Sequence, residues 1–282
     1  MTDDGSRADE AAADRGPASA GGRFTGRTVL VAGSTGMAAS AARAIAAEGG
    51  QVFVASRTEA HARELAESIV MGGGLAGWQA ADLADEADVD RVVATCVSAF
   101  GRLDGVYHVA GISGRRFGDG PLHEATLDGW GTVLHANLTS LFLVTRAAVR
   151  RMLEQERDAR GIRGTLLAMS SVLATHPAPA HFATHAYAAS KGAIEALTRA
   201  VAAYYAPHGI RANAIAPALV ATPMSRRAQE DPAILAYLAE KQPLAGGPIN
   251  ADAVTATALH LLAPEAAMVT GQVVAVDAGW GV

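Results

Sequence analysis

Residues 28–38 read Thr-Val-Leu-Val-Ala-Gly-Ser-Thr-Gly-Met-Ala. An apolar run runs into a turn with two glycines and then into a helical pattern, and that junction decides the fold. Gly33 and Gly36 permit backbone conformations closed to other residues. Amides of such a turn, and of the first turn of the helix that follows, can face a pyrophosphate. Ser34 and Thr35 add hydroxyl donors, so Gly33, Ser34, Thr35, Gly36 and Met37 form a candidate cofactor loop. Ala38 stands where a third glycine is common, at the contact of helix and strand. The plainer reading is a strand–helix turn with no ligand.

Outward from this loop the same alternation continues. Strand-like apolar runs fall at 28–31, 51–55, 77–81, 103–109, 164–169, 211–215 and 272–276. Helical spacing fills 38–48, 59–70, 85–100, 127–157, 186–206 and 251–262 between them. Several strands are apolar on both faces, as a parallel sheet between two helix layers requires. The expected fold is therefore α/β: a doubly wound, Rossmann-like, seven-stranded and mostly parallel sheet with helices on both faces. Ligands of such sheets bind at the carboxyl ends of the strands, so the loops after strands are the candidate sites.

The composition agrees. The chain has 282 residues, half of them hydrophobic, and a net charge of -5. Residues 1–23 are small, charged and glycine-rich, and are expected to be a disordered tail; residues 24–282 read as one domain that includes the substrate pocket. No basic stretch suggests nucleic acid, and the Arg150-Arg151 and Arg226-Arg227 pairs read as solvated faces. No signal-peptide core and no run of transmembrane length is expected, so no membrane partner, and the cytoplasm is the expected location. Cys96 is the single cysteine and excludes an internal disulfide. It lies within a helical pattern and reads as a packed thiol.

The second strand ends in Ala55-Ser56-Arg57, where dinucleotide folds often carry a carboxylate for the ribose 2′-hydroxyl. Here Ser56 can donate a hydrogen bond and Arg57 can pair with a 2′-phosphate, which favours NADP(H) over NAD(H). The alternative is a surface arginine at a strand end. Asp82 and Leu83 could flank an adenine ring, or form an ordinary turn.

The chemistry lies in Tyr187-Ala188-Ala189-Ser190-Lys191. Tyr187 and Lys191 are four apart, so a helix stacks them on one face. An adjacent ammonium favours phenolate and lowers the phenol's pKa. A phenol so tuned can exchange a proton with a carbonyl or alcohol oxygen near neutral pH. Upstream, 165–171 is an apolar strand ending in two hydroxyls. Ser171 could hydrogen-bond a substrate oxygen as charge develops, with Ser170 a rival for that role. Asn137, in a helix, could hold a water joined to Lys191 in a proton relay. Downstream, 213–217 closes another strand, with Thr222 beyond.

These motifs resemble those of the short-chain dehydrogenase/reductase family in its compact, single-domain form, over roughly residues 24–282. The matching residues are Tyr187 and Lys191, Ser171, Asn137, Ala110 and Gly111, Asn213 to Pro217, and the closing 271–280 segment with Asp277. The resemblance implies a Rossmann-like fold, an NAD(P) cofactor, hydride-transfer activity and a catalytic tetrad of Asn137, Ser171, Tyr187 and Lys191. It implies that Lys191 and Tyr187 contact the nicotinamide ribose, that Pro217, Val220 and Thr222 contact the nicotinamide end, and that the chain is a homotetramer or dimer. The chain departs from the family at Ala32, at the two residues between Gly33 and Gly36, and at Ala38. It departs again at His108-Val109 before Ala110-Gly111, at Pro217-Ala218, and in a lengthened span from Ser171 to Tyr187.

That lengthened loop, 176–185, should line the pocket, with Phe182 and its prolines as apolar walls. Its three histidines have no fixed spacing, and no metal is expected. Arg115-Arg116 could meet an acidic group or lie in a solvated loop. Segment 222–248 could form a mobile lid. The expected reaction interconverts a carbonyl and a secondary alcohol on a medium-sized, mostly apolar molecule. The alternatives are a non-redox enzyme on the same scaffold (cyclase, dehydratase or epimerase) or a non-catalytic NADP-binding protein.

Overall fold

The computed structural model describes residues 21–282. The expected disorder of the tail lies, for residues 1–20, outside the described residues. Residues 21–23 already engage the domain: Arg23 pairs with Glu48, and Phe24 is buried beside them.

The strands are β1 (Thr28–Ala32), β2 (Gln51–Ser56), β3 (Leu75–Ala80), β4 (Gly105–His108), β5 (Gly164–Met169), β6 (Ile210–Pro217) and β7 (Val273–Val276). They form one seven-stranded sheet in the order β3-β2-β1-β4-β5-β6-β7. Every pairing is parallel, so the expected "mostly parallel" sheet is wholly so. The strand order reverses between β1 and β4, and a crevice opens at their carboxyl ends.

Helices flank both faces: α1 (Met37–Ala47), α2 (Glu59–Met71), α3 (Glu86–Phe100), α4 (Leu127–Leu134), α5 (Ser140–Leu153), α6 (Pro179–Phe182), α7 (His185–Tyr205), α8 (Arg226–Glu230), α9 (Pro232–Lys241) and α10 (Ala251–Leu262). Strand alternation divides the core. Val29 and Val31 of β1 pack with α1 and α10, while Leu30 and Ala32 face α3 and α5. Helix ends follow local chemistry. Asp85 caps α3 by accepting from the Asp88 amide, Asn250 caps α10 through the Asp252 amide, and Gly101 closes α3 in a left-handed conformation. Cys96 is buried in the α3 packing, and burial pushes its thiol up to about 12.

Two expectations need correction. The helix expected over 127–157 ends at Leu153 and is broken by a π-helical turn, His135–Thr139. Such a turn inserts a residue into the ladder and is often found at functional sites; here it carries Asn137. The same run, Leu127–Leu153, is 27 residues long and apolar enough to cross a membrane by length and composition, contrary to the expectation that none is. Half of its 18-residue apolar window is buried inside the protein, as in a core helix.

Candidate active site

The carboxyl ends of β1, β4, β5 and β6 surround a cavity of about 190 Å³. Ser171, the second residue after β5, is buried in its wall, and its Oγ accepts from the Leu173 amide at 3.2 Å. Tyr187 and Lys191 face the same space from the first turns of α7. Lys191 Nζ donates to the Met169 carbonyl at 2.7 Å and lies 5.5 Å from the Tyr187 ring centroid. The expected stacking of phenol and amine on one helix face is thus present.

The expected electrostatics are not. Burial raises the Tyr187 phenol above its ordinary value, and the Ser171 hydroxyl beside it draws it back. Burial also lowers the Lys191 ammonium to about 8. Desolvation penalises both charged forms and is the largest effect on each. The Ser171 hydroxyl is a group that favours phenolate. Both serines line the cavity, but they are engaged differently. Ser170 Oγ donates to Glu195 Oε1 at 2.9 Å and to the Lys191 carbonyl at 3.2 Å, tying α7 to β5.

Asn137 is fully buried. Its Oδ1 accepts from the Ile112 amide at 2.7 Å, and its Nδ2 donates to the Ile112 carbonyl at 3.1 Å and to Ser190 Oγ at 3.0 Å. Through these bonds Asn137 clamps the loop after β4 to α7. Gly111 is a glycine because a Cβ there would come within 2.8 Å of Asn137 Oδ1.

The sequence concealed one further support. Asp119, buried in the loop after β4, accepts from the Ala186 amide at 3.0 Å and the Tyr187 amide at 2.9 Å. A carboxylate on free amides at a helix N-terminus is stabilising, and it fixes the turn that bears Tyr187. Thr184, at the capping position itself, makes no such bond. Asp119 precedes Tyr187 by 68 residues, so no local spacing could reveal the contact.

Phe182 lines the cavity as expected, with Trp280 beside it at 6.1 Å between ring centroids. Trp280 was not expected there. Asp277 holds the closing turn by accepting from the Gly279 and Gly281 amides, which carries Trp280 inward. Arg115 and Arg227 also line the cavity; both are exposed, so the Arg226-Arg227 pair is solvated as expected and Arg227 borders the cavity mouth.

Of the expected cofactor residues, Met37, Gly111, Pro217, Val220 and Thr222 line the cavity with Tyr187 and Lys191. Gly33, Ser34, Thr35, Gly36, Ser56, Arg57, Asp82, Leu83 and Ala110 lie outside it, along or beyond the strand ends. The two groups meet at Gly36, where a Cβ would stand 3.0 Å from Thr222 Cγ2. Ser34 Oγ donates to Ser56 Oγ at 2.9 Å, joining the first loop to the end of β2. Asp82 Oδ1 accepts from the Ala84 amide in a turn, and Leu83 packs into the core. Arg57 is exposed and has no ion pair among the described residues.

This cradle fits a nicotinamide dinucleotide. Gly33 and Gly36 have φ of 126° and 55°, and Ala38 is accommodated because a Cβ on Gly33 would lie 3.1 Å from its methyl. Among the described residues, the Ser34, Thr35 and Gly36 amides have no backbone partner and remain free for an anion at the α1 N-terminus. No group of three His, Cys, Asp or Glu side chains is placed to hold a metal among the described residues.

A family model described as enoyl-(acyl carrier protein) reductase matches residues 31–281. A 2,5-dichloro-2,5-cyclohexadiene-1,4-diol dehydrogenase from Sphingobium indicum is 33% identical over 260 residues, 91% of this chain and 98% of that one. A gluconate 5-dehydrogenase from Burkholderia cenocepacia, solved with NADP and tartrate, superposes with a TM-score of 0.82 at 30% identity, over 92% of this chain and 96% of that one. A 3-ketoacyl-(acyl-carrier-protein) reductase from Brucella melitensis, solved with NADH, gives 0.79 at 27% identity, over 92% and 99%.

Proposed function

The chain belongs to the short-chain dehydrogenase/reductase family of NAD(P)-dependent oxidoreductases, and from that premise we propose that it interconverts a carbonyl and a secondary alcohol with NADP(H) as the preferred carrier. The observation that carries this reading is the meeting of Ser171, Tyr187 and Lys191 in one cavity at the switch point of the sheet. The bound nicotinamide would supply the hydride; alignment and proton handling fall to the protein.

In reduction, the Tyr187 hydroxyl donates a proton to the substrate oxygen, and the Ser171 hydroxyl steadies that oxygen as charge develops. The resulting phenolate is favoured by Ser171. Lys191 stands behind Tyr187, anchored to the Met169 carbonyl, and would hold the nicotinamide ribose of the bound cofactor. Asn137 keeps Ile112 and Ser190 in register, and Asp119 holds the Tyr187 amide. Gly33, Ser34, Thr35, Gly36 and Met37 take the pyrophosphate. Ser56 and Arg57 face the adenosine ribose, where Arg57 selects a 2′-phosphate. Asp82, Leu83, Ala110 and Gly111 border the adenine and ribose path, and Pro217, Val220 and Thr222 the nicotinamide.

The substrate is a small molecule with an apolar body, seated against Phe182 and Trp280. We place the enzyme in the cytoplasm as a homotetramer or dimer. Titration with NADPH and NADH, followed by absorbance assays on a carbonyl panel, tests the reading. Saturable binding, with NADPH the tighter, and turnover lost in Tyr187→Phe are expected. Binding of neither nucleotide at millimolar concentration would reject it, and conversion of substrate without net redox change would favour a cyclase, dehydratase or epimerase.

A further inference from the structure

Arg115 lies in a short 3-10 turn after β4, and Arg227 lies on α8 after β6. The chain brings both guanidiniums to the wall shared by the 190 Å³ cavity and an adjoining one of about 540 Å³. Several arginines of the fold are matched with carboxylates, Arg27 with Asp158, Arg102 with Asp104 and Arg146 with Glu86, while others, Arg57 among them, are not. Among the described residues, neither Arg115 nor Arg227 has such a partner. The two are close enough to repel. The Arg115 guanidinium is held below its usual pKa range, by burial first and by Arg227 second, with Asp119 opposing. Asp119 is the carboxylate that Arg115 feels, but both its oxygens are committed to the amides of α7. Asp119 and Glu124 also line the second cavity, so an anion is expected at the wall it shares with the first rather than deeper within it. Arg115 also donates from Nη2 to the His181 carbonyl, which steadies the side chain and leaves its remaining N–H groups free.

We propose that Arg115 and Arg227 form an oxyanion-binding subsite at the mouth of the reaction cavity, so that the substrate carries a carboxylate or a chemically similar anion at the end remote from its carbonyl or carbinol carbon. The proposal rests on the reading of the cavity as the substrate site and narrows the substrate class within it. The apolar walls at Phe182, Trp280 and Leu173 take the body of the molecule. The two arginines take its charged end, and the second cavity leaves room for whatever extends beyond. An anion between the guanidiniums replaces a repulsion by two charge-assisted hydrogen bonds.

Calorimetric titration of the full chain with 4-acetylbenzoate and with its methyl ester separates charge from shape. Removing one charged hydrogen-bond partner should weaken binding about tenfold or more. The wild type is therefore expected to bind the acid at least about tenfold more tightly than the ester, with the preference eroding as salt rises. Arg227→Gln should remove most of that preference, Arg115→Gln combined with Arg227→Gln should abolish it, and Arg227→Lys should keep part of it. Equal binding of acid and ester by the wild type, or a preference that the substitutions leave intact, overturns the subsite. These measurements need no turnover. If neither ketone changes nicotinamide absorbance while the preference for the acid persists, the redox reading fails and the subsite stands.

Discussion

The two ends of the crevice are built differently. Around Tyr187 the backbone and side chains are tied from several directions. Asp119 holds the amide of Tyr187, Ser190 bonds its carbonyl, Met169 receives Lys191, and Asn137 joins α7 to the loop after β4. Around Arg57 there is one serine–serine bond and an exposed guanidinium. In the proposed reading, the chemical end is organised before any ligand arrives, and the adenosine end is left open to be completed by one. Preorganisation matters most where charge moves during reaction, whereas a nucleotide's outer phosphate can be gripped by a side chain that orders on binding.

This contrast predicts where substitutions hurt. The largest effect should come from Tyr187→Phe, which removes the proton donor from an intact frame. Turnover is expected to fall by about 10²- to 10⁴-fold, as for loss of a general acid, while cofactor affinity measured by fluorescence stays within a few-fold. Wild-type turnover in this variant would break the comparison at its stronger end.

Lys191→Met should also abolish most activity, but with a gain in stability. The ammonium sits at about 8 in the folded chain against 10.5 in the open one. A base with a depressed folded pKa binds more protons when unfolded, so its burial penalty is fully present below pH 8 and fades as pH rises towards 10.5. The penalty at neutral pH is on the order of 3 kcal/mol from that shift. The variant should therefore melt several degrees higher than wild type at pH 7, and the difference should close above pH 10. Equal melting temperatures at pH 7 would mean that the buried amine is not under strain.

Asp119→Ala tests the hidden support. Loss of a helix cap costs roughly 0.5–2 kcal/mol, so the melting temperature should drop by a few degrees. Asp119 is a positioning residue, so the informative measurement is the division between kcat and KM. A drop in kcat of about tenfold with KM nearly unchanged is expected, since small displacements of a reacting group cost rate, and Asp119→Asn, which keeps one carbonyl acceptor, should recover part of it. Loss of stability with kcat intact would reduce Asp119 to scaffolding.

The same contrast explains what the sequence disclosed. Strand alternation in β1, the helical spacing of Tyr187 and Lys191, and Ser171 at a strand end are local patterns, and the fold and the reactive cluster were readable from them. Asp119 reaches the turn that bears Tyr187, and Trp280 and Arg227 reach the cavity, through contacts far apart in the chain. Their order along the sequence carries no trace of the meeting: Arg227 sits beside Arg226 in what reads as a surface pair. The π turn at Asn137 is likewise set by tertiary contact, since nothing in Leu134-His135-Ala136-Asn137 breaks a helix. The direction of the Tyr187 shift was misread for a related reason. Residue spacing reveals a neighbouring charge but not the depth of burial that offsets it.

The smallest predicted effect probes the open end. Ser34 bonds Ser56, which in turn donates to the Thr58 carbonyl, so Ser56 is partly committed within the loop. Arg57, by contrast, is free to turn towards a 2′-phosphate. One exposed charge pair contributes up to about 1 kcal/mol, and a bidentate phosphate contact somewhat more. Arg57→Ala should therefore cut the ratio of NADP to NAD affinity by only about three- to tenfold, and raising salt should shrink the wild-type ratio in the same direction. Turnover with saturating cofactor should barely change, because Arg57 lies outside the cavity that holds Tyr187. An unchanged affinity ratio would reassign Arg57 to the solvated surface and leave 2′-phosphate selection to Ser56 and the loop backbone.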